Sequence, residues 1–342
     1  MIDFRYHLVS IVAVFLALAI GIVVGAQAIT PKLADSLNKA SAAEVKQNKM
    51  LYAHNQQLKN EIGADAAFAQ AAEGRLLRGL LDGEHVALVL APGTDNATVD
   101  GLTSALQQAG ASVAGQVVLS SQFFDTSAGN EQQLKNSLKG LTPPGVTLPV
   151  TVDSSPQVSG QQAAAQVLAA SIMDKNGVPT LTPAQSQQVI TRLTNAGFLQ
   201  INGPNGGSSL VGQATLAVVV VPTTVPPPSL RGPFNLTLIS VANDLQEASK
   251  GAVLTGPLTG TGPHSAIEAV SNGSANVNLT TVDNAETTIG QIVVAWALNQ
   301  MVTSNATPTA YGVRPGVVPS PAPSASPSPS PSSQPSSKKG RR

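Results

Sequence analysis

The residues best suited to binding chemistry lie in one glycine-rich segment, which runs from Thr255 to His264 and reads TGPLTGTGPH. It leads into Ser265-x-x-Glu268, the pattern of a helix capping box. A glycine-rich turn before a helix N-terminus can hold an anion, because free backbone N–H groups point outward there. The spacing matches neither the dinucleotide nor the P-loop fingerprint, so a flexible capped turn is the alternative interpretation. The candidate anion-binding residues are Gly260, Gly262, His264 and Ser265.

Side chains that ligate metals are sparse in this chain. It has no cysteine, which excludes disulfides, thiolate metal sites and cysteine nucleophiles. Met50 and His54 are spaced i,i+4, so on a helix they share a face, and both offer the soft donors that copper accepts. A solvated helix surface is the alternative, because two ligands do not make a site. The other histidines, which stand far apart, are His7, His85 and His264.

The sequence contains no G-x-S-x-G, no H-E-x-x-H and no paired-carboxylate motif, so we expect no enzymatic activity. The formal net charge is zero and charged residues make up 11% of the chain. Without a basic excess, we expect no nucleic-acid partner.

The N-terminal region carries the strongest structural signal. Leu8 to Ala26 contains no charged residue, and a helix of that length rises about 28 Å, close to one hydrocarbon thickness. We predict a transmembrane helix over residues 8–28, in contact with membrane lipid, behind a short cytoplasmic N-terminus at residues 1–7. Ala26-Gln27-Ala28 also fits a signal-peptide cleavage pattern. The long apolar run favours a retained anchor over cleavage.

Lysine and arginine counts do not set the orientation, because Arg5 precedes the apolar run while Lys32 and Lys39 follow it. Large C-terminal domains cross a membrane largely regardless of charge. The abundance of Ala, Gly, Thr and Pro beside few Lys and Glu is typical of exported proteins. We therefore place the chain after Ala28 outside the cytoplasm, in a single-pass topology.

Small residues recur every four positions along the apolar run and end in a G-x-x-x-G pair. Such a stripe lets a second helix approach closely. Chance is the alternative, since Ala and Gly are common in membrane segments. The helix-pairing stripe is Ala13, Ala17, Gly21 and Gly25.

Residues 29–80 are predicted to form a coiled-coil helix, with Thr30 as N-cap and Pro31 as first helical residue. Leucines share one heptad position, and asparagines on the complementary position are a known register device. A helix packed on the protein's own domain is the alternative. The stripe and the coil together predict a homodimer. The heptad residues are Leu37, Leu51 and Leu58, opposite Ala34, Asn48, Asn55 and Ile62.

Residues 81–303 are predicted to form one extracytoplasmic α/β domain with a mostly parallel sheet, because short apolar runs alternate with helical patterns. Asp95 or Thr94 would cap the first helix. The predicted strands are His85–Ala91, Ser112–Leu119, Thr215–Val221, Ala252–Leu254 and Ala275–Val282. The predicted helices end at about Gly110, Met173, Ala196, Ser249, Ser271 and Val302.

The C-terminal region, residues 304–342, is predicted to be a disordered tail rich in Pro and Ser. Pro319–Ser337 favours extended polyproline II. The basic end suits anionic wall polymers or lipid, and a purely solubilising tail is the alternative. That end consists of Lys338, Lys339, Arg341 and Arg342.

The opening Arg5–Gly25, the segment Thr280-Thr-Val-Asp-Asn284 and the helix Gly290–Leu298 resemble the actinobacterial family named for mycobacterial copper transport protein B. The resemblance covers most of residues 1–303. It implies a membrane protein of copper homeostasis or efflux, in some accounts an outer-membrane channel. It also implies kinship with envelope proteins that act in cell-wall separation beside a membrane partner. Copper is implied by the resemblance alone, and the resemblance assigns no metal-ligating residues in this chain.

Three functions follow from these observations. The first is copper transport or homeostasis in the cell envelope. The second is a dimeric scaffold or adaptor that works with an envelope partner in cell-wall or division processes. The third is a small-ligand or anion sensor. The single predicted span encloses no pore, so the sequence does not support a channel formed by one copy, and it leaves inner and outer membrane open.

Overall fold

The computed structural model describes residues 4–141, 160–175, 178–179, 181–204, 207, 210, 212–304 and 306–321 of this 342-residue chain. The chain divides into two compact units, Met1–Asp65 and Ala66–Arg342.

One helix, α1, runs without interruption over Phe4–Leu77. The predicted start of a second helix at Thr30–Pro31 is therefore wrong, because the chain is already helical before it. Pro31 has no backbone N–H, so the helix loses one i→i−4 hydrogen bond there. It continues because Ala, Leu and Lys on both sides have high helix propensity.

The first unit contains only this helix among its described residues, and it has no core of its own. Every described side chain from Tyr6 to Asp65 is exposed except at Gly25. Large apolar side chains such as Phe15, Leu37 and Ile62 are each more than half exposed. Such a surface needs lipid or another protein to cover it.

The second unit is built on a seven-stranded sheet in the order β5-β2-β1-β6-β7-β8-β9. All neighbouring strands are parallel except β2 and β5, which pair antiparallel. This architecture confirms the predicted α/β fold with a mostly parallel sheet. The strands are β1 His85–Leu90, β2 Ser112–Leu119, β5 Leu199–Asn202, β6 Leu216–Val220, β7 Gly251–Gly256, β8 Thr280–Asp283 and β9 Ala310–Tyr311. A separate hairpin pairs β3 Asp174–Lys175 with β4 Val178–Pro179.

Helices cover both faces of the sheet, as a parallel sheet requires. One core cluster lies against α3, α4, α5, α6 and α7, and the other lies against the end of α1, α2 and α8. The helix bounds are α2 Asn96–Gln108, α3 Ala128–Leu138, α4 Gly160–Ile172, α5 Pro183–Asn195, α6 Pro228–Ala248, α7 Ala266–Ser271 and α8 Thr288–Ser304.

Several predicted boundaries need correction. The strand expected from Ala275 begins only at Thr280, because a turn with left-handed Asn276 (φ 50°) precedes it. The predicted domain end at residue 303 is wrong, since β9 pairs with β8 through Thr281 and Ala310. Val318 then donates its N–H to Ala310 O at 2.9 Å, so residues 306–321 belong to the domain. The rest of the predicted tail, including its basic end, lies outside the described residues.

Candidate functional site

The carboxyl ends of the parallel strands meet at one edge of the sheet. β1 has β2 on one side and β6 on the other, so the chain changes direction across the sheet between β1 and β6. In open α/β sheets, ligands bind at the carboxyl edge beside such a switch point. The loops after β1, β6, β7 and β8 therefore form the candidate ligand-binding region.

The loops at this switch point hold each other directly. Thr223 donates both its backbone N–H and its hydroxyl to Gly93 O, each at 3.0 Å. Gly260 lies so close to the loop after β6 that a Cβ there would overlap the carbonyl oxygen of Pro222. The loops after β1, β6 and β7 are thus in direct contact with one another at the switch point.

The predicted anion loop is held by a carboxylate of this chain. Ser265 Oγ caps α7 by accepting from the backbone N–H of Glu268 at 3.0 Å. The Glu268 carboxylate then accepts from the N–H of His264, where a capping box would use the N–H of Ser265. Ser265 N instead donates to Gly262 O at 3.1 Å. An external anion would meet the negative charge of Glu268 at this turn, so the geometry adds no support for the predicted anion site.

Of the four predicted loop residues, Gly262, His264 and Ser265 come together at the start of α7, while Gly260 packs against Pro222. His264 adopts a left-handed backbone (φ 64°), and its carbonyl accepts from Asn235 Nδ2 at 2.8 Å. The loop is therefore fixed to α6 as well as to α7.

A buried ion pair lies at the carboxyl end of β8. Asp283 is 1% exposed, and its Oδ2 lies 3.1 Å from Arg314 Nε. The backbone N–H of Val313 donates to Asp283 Oδ1 at 2.7 Å. The same guanidinium donates to Thr261 O and, at 2.8 Å, to Ser271 Oγ. One arginine thus ties the segment after β9 to β8, to the predicted anion loop and to α7.

The sequence does not predict this pair, because Arg314 lies in the predicted tail and Asp283 belongs to the Thr280–Asn284 segment that carries the family resemblance. One signal was available in the sequence, since Gly312 and Gly316 flank Arg314. Gly312 adopts φ 139°, and a Cβ there would overlap the Asp283 carboxylate. Only glycine allows this close approach.

Asn284 follows the ion pair and shapes the start of α8. It has a left-handed backbone (φ 71°), and its Nδ2 donates to Thr287 Oγ1 at 3.3 Å. Thr287 Oγ1 in turn caps α8 by accepting from Gly290 N at 3.1 Å. Asn284 Oδ1 is buried without a hydrogen-bond partner. These contacts give Asn284 a structural role at the turn.

A second cluster of charged and polar side chains lies at the opposite edge of the sheet, where the parallel strands begin. Lys250 Nζ lies 2.7 Å from Glu84 Oε1, and Thr215 Oγ1 donates to Glu84 Oε2 at 2.5 Å. Glu84 is 7% exposed. The three residues precede β7, β1 and β6, so they tie three central strands at their starts.

The predicted helix-pairing stripe lies on the exposed surface of α1. Ala13, Ala17, Gly21 and Gly25 are spaced four residues apart, and a Cβ built on Gly21 or Gly25 meets nothing within 4 Å. Within the part of the chain that the structure describes, both glycines therefore have room for a second helix to approach.

The predicted soft-ligand pair also lies on α1. Met50 is 58% exposed, and His54, one turn later, is exposed as well. Within the described ranges, no group of three or more His, Cys, Asp or Glu side chains could hold a metal ion.

The fold and these surfaces define a class of protein. One described helix, Tyr6–Ala26, is long and apolar enough to cross a membrane, and it is entirely unburied. It precedes an α/β unit built on a mostly parallel seven-stranded sheet. The molecule is a membrane-associated α/β protein.

The chain belongs to the family described as "Copper transport outer membrane protein, MctB", whose model matches residues 1–320. It is 27% identical over 316 residues to "Copper transporter MctB" of Mycobacterium leprae, covering 92% of this chain and 96% of that protein. It is 25% identical over 307 residues to the proteins of the same name from Mycobacterium bovis and Mycobacterium tuberculosis, covering 88% of this chain and 93% of each relative. The family resemblance that the sequence predicted is confirmed.

Proposed function

We propose that this protein acts in copper homeostasis at the cell envelope, with its α/β unit held outside the cytoplasm by α1. The observation that carries the proposal is the family match over residues 1–320, which includes both the apolar helix and the sheet. The relatives that align over nearly their full length are named copper transporters. The family's name supports an outer-membrane location, which remains part of the proposal.

The chemistry of the chain limits how copper is handled. Thiolate ligands are absent because the chain has no cysteine. Soft donors are restricted to thioether and imidazole groups. Met173 and Met301 are buried in the core, while Met50 and His54 are exposed on α1. Met50 and His54 are therefore a pair of exposed soft donors one helical turn apart, and we propose them as a point of transient contact with copper as cargo.

A pore formed by one copy is not part of the proposal. Among the described residues, one helix meets the length and composition of a span, and a single helix encloses no channel. Copper movement would then require several copies or a partner membrane protein. The α/β unit would serve as the extracytoplasmic part of that assembly.

Copper tolerance and cellular copper content in a deletion strain test the proposal. We expect the strain to lose tolerance to added copper and to change its copper content, with both restored by the full-length gene. A strain that matches the parent in both measurements would overturn the copper function. Calorimetric titration of Cu(I) into the full chain in detergent then separates direct binding from an indirect role.

A second candidate function, a non-enzymatic dimeric scaffold with an envelope partner, is favoured by the exposed coil. Leu37, Leu51 and Leu58 are 61%, 52% and 39% exposed, although they share a heptad position. Asn48 and Asn55 occupy the complementary position, where buried asparagine favours a defined two-stranded register. We propose that a second copy covers this face in parallel orientation, because both copies enter the membrane at the same end.

Analytical ultracentrifugation of the full chain in detergent tests this assembly. A dimer that dissociates when Leu51 and Leu58 are both replaced by Ala supports it. A wild-type monomer at all concentrations contradicts it. Crosslinking in cells that recovers only this chain would leave the dimer standing and remove the adaptor role.

A further inference from the structure

An open groove of about 540 Å³ lies on the α/β unit, and neither Asp283 nor Arg314 is among its described lining residues. This volume is within the range of pockets that hold small molecules. Four segments that are distant in sequence contribute to it, which fixes its shape through the fold. The polar residues that line it are Lys175 from β3, Asn243, Gln246 and Glu247 from α6, and Asn276 and Asn278 from the loop before β8.

Hydrogen bonds within the protein already orient the α6 side of the groove. Asn243 Nδ2 donates to Glu247 Oε1 at 2.9 Å, and Lys175 Nζ donates to Glu247 O at 2.9 Å. Gln246 Oε1 accepts from Ala252 N at 2.6 Å. These bonds hold the side chains in place, so a ligand would not have to order them.

The groups left for a ligand are mixed donors and acceptors. A carboxamide offers an acceptor oxygen and two N–H donors, and four of the lining residues are carboxamides. Among the described residues that line the groove, one lysine and one glutamate balance in charge. Val277 and Pro308 provide the apolar part of this described lining, which includes no aromatic ring. The groove thus offers no platform for stacking a flat heterocycle.

This chemistry suits a neutral molecule whose many hydroxyl groups both donate and accept. A carboxamide also pairs well with an acetamido group, because the N–H of each donates to the carbonyl oxygen of the other. We propose that this groove binds a neutral saccharide that carries hydroxyl and acetamido groups. The inference stands on the groove alone and does not depend on the copper function.

Saturation-transfer NMR on the full chain in lipid nanodiscs, prepared without glycoside detergents or glycolipids, tests the proposal. The probe is N,N′-diacetylchitobiose, and a neutral alanine tripeptide is the comparison ligand. We expect saturable binding of the saccharide. We also expect Asn243→Ala and Asn278→Ala each to weaken that binding about five- to tenfold, the effect of one lost hydrogen bond.

Asn136→Ala is the matched control, because Asn136 is an exposed carboxamide on α3 and, like Asn243, lies inside a helix. It should leave binding unchanged, and thermal unfolding should show that all three variants fold. The proposal is overturned by absent saturable binding up to the solubility limit, by equal weakening in Asn136→Ala, or by tighter binding of the tripeptide than of the saccharide.

Discussion

Arg314 reaches back across 31 residues of sequence to place its Nε 3.1 Å from Asp283 Oδ2 at the carboxyl end of β8. The two side chains are 16% and 1% exposed. A buried pair is held because each partner compensates the other's lost hydration, and removing one partner leaves an unpaired buried charge. This pair closes the segment after β9 onto the sheet.

Replacing Arg314 by Met should lower the free energy of unfolding by about 3 kcal/mol or more, because it removes one partner of a buried ion pair. Urea titration of the full chain in detergent, followed by the fluorescence of the single tryptophan, Trp296, measures the loss. The double change Asp283→Asn and Arg314→Met should recover part of it.

The surface pair Lys135–Glu131 is the control for the ion-pair prediction. Its atoms lie 3.7 Å apart, and the side chains are 39% and 27% exposed. Lys135→Met should cost less than about 1 kcal/mol, as exposed pairs do. Equal losses for Arg314→Met and Lys135→Met would show that the buried pair contributes no more than a surface contact.

Two glycines of the predicted anion loop should differ in how much their substitution by alanine destabilises the fold. Gly260→Ala should destabilise the fold by about 1–3 kcal/mol, since its Cβ would overlap the Pro222 carbonyl and the backbone must shift. Gly262→Ala should be nearly neutral, because a Cβ there meets nothing within 4 Å. The same urea titration compares the two variants. If Gly262→Ala is the more damaging, the loop serves something other than packing against the loop after β6.

The parallel α/β class was predictable because buried strands such as Thr215–Val221 form continuous apolar runs, which only a sheet covered on both faces accommodates. The N-cap at Asp95 was predictable from local chemistry, and Asp95 Oδ2 accepts from Thr98 N at 3.0 Å. The antiparallel strand β5 and the two-residue strand β9 were missed. Each is too short to show a period, and its pairing depends on residues far away in sequence.

The contacts at the anion loop and the groove were harder to predict from the sequence, for the same reason. Ser265 and Glu268 signal a capping box, but the partner of the Glu268 carboxylate is decided by the left-handed turn at His264. The groove around Asn243 and Asn278 joins segments with no shared motif. Only the packing of α6 beside the loop before β8 brings them together.

Asp244, next to that groove on α6, should make stability depend on pH. The pKa of its carboxyl is raised from 3.8 to about 7, chiefly by burial and also by the charge of Glu247, while a hydrogen bond with Ser240 opposes the change. The folded protein therefore holds this proton more tightly than the unfolded chain. The stabilisation is fully present below the unfolded pKa and is lost as pH rises through the folded pKa.

Asp244→Asn should remove this dependence. Relative to that variant, the wild type should lose about 2 kcal/mol of stability between about pH 4 and pH 7, a value reduced from the full shift because the site is partly exposed. Urea titrations across this range measure the difference. Asp100→Asn, which changes an exposed carboxylate on α2, gives the baseline. A wild type that gains stability over the same range relative to Asp244→Asn would contradict the raised pKa.

The stripe on α1 gives the sharpest test of self-association, because no described residue lies within 4 Å of a Cβ built on Gly21 or Gly25. Replacing Gly21 and Gly25 by Ile adds bulk where a second helix must approach closely, while each Cβ has open space in the monomer. Dimerisation in detergent should weaken at least tenfold, measured by sedimentation over a range of protein-to-detergent ratios.

Ala19→Ile is the control, since position 19 lies on the opposite face of a helix with 3.6 residues per turn. Because Ala19 is an exposed small residue in the same apolar run, its change alters hydrophobicity without filling the stripe. Equal weakening by both changes would show that helix pairing does not use the stripe, and an unaffected dimer in both would assign association to the coil around Leu51 and Leu58.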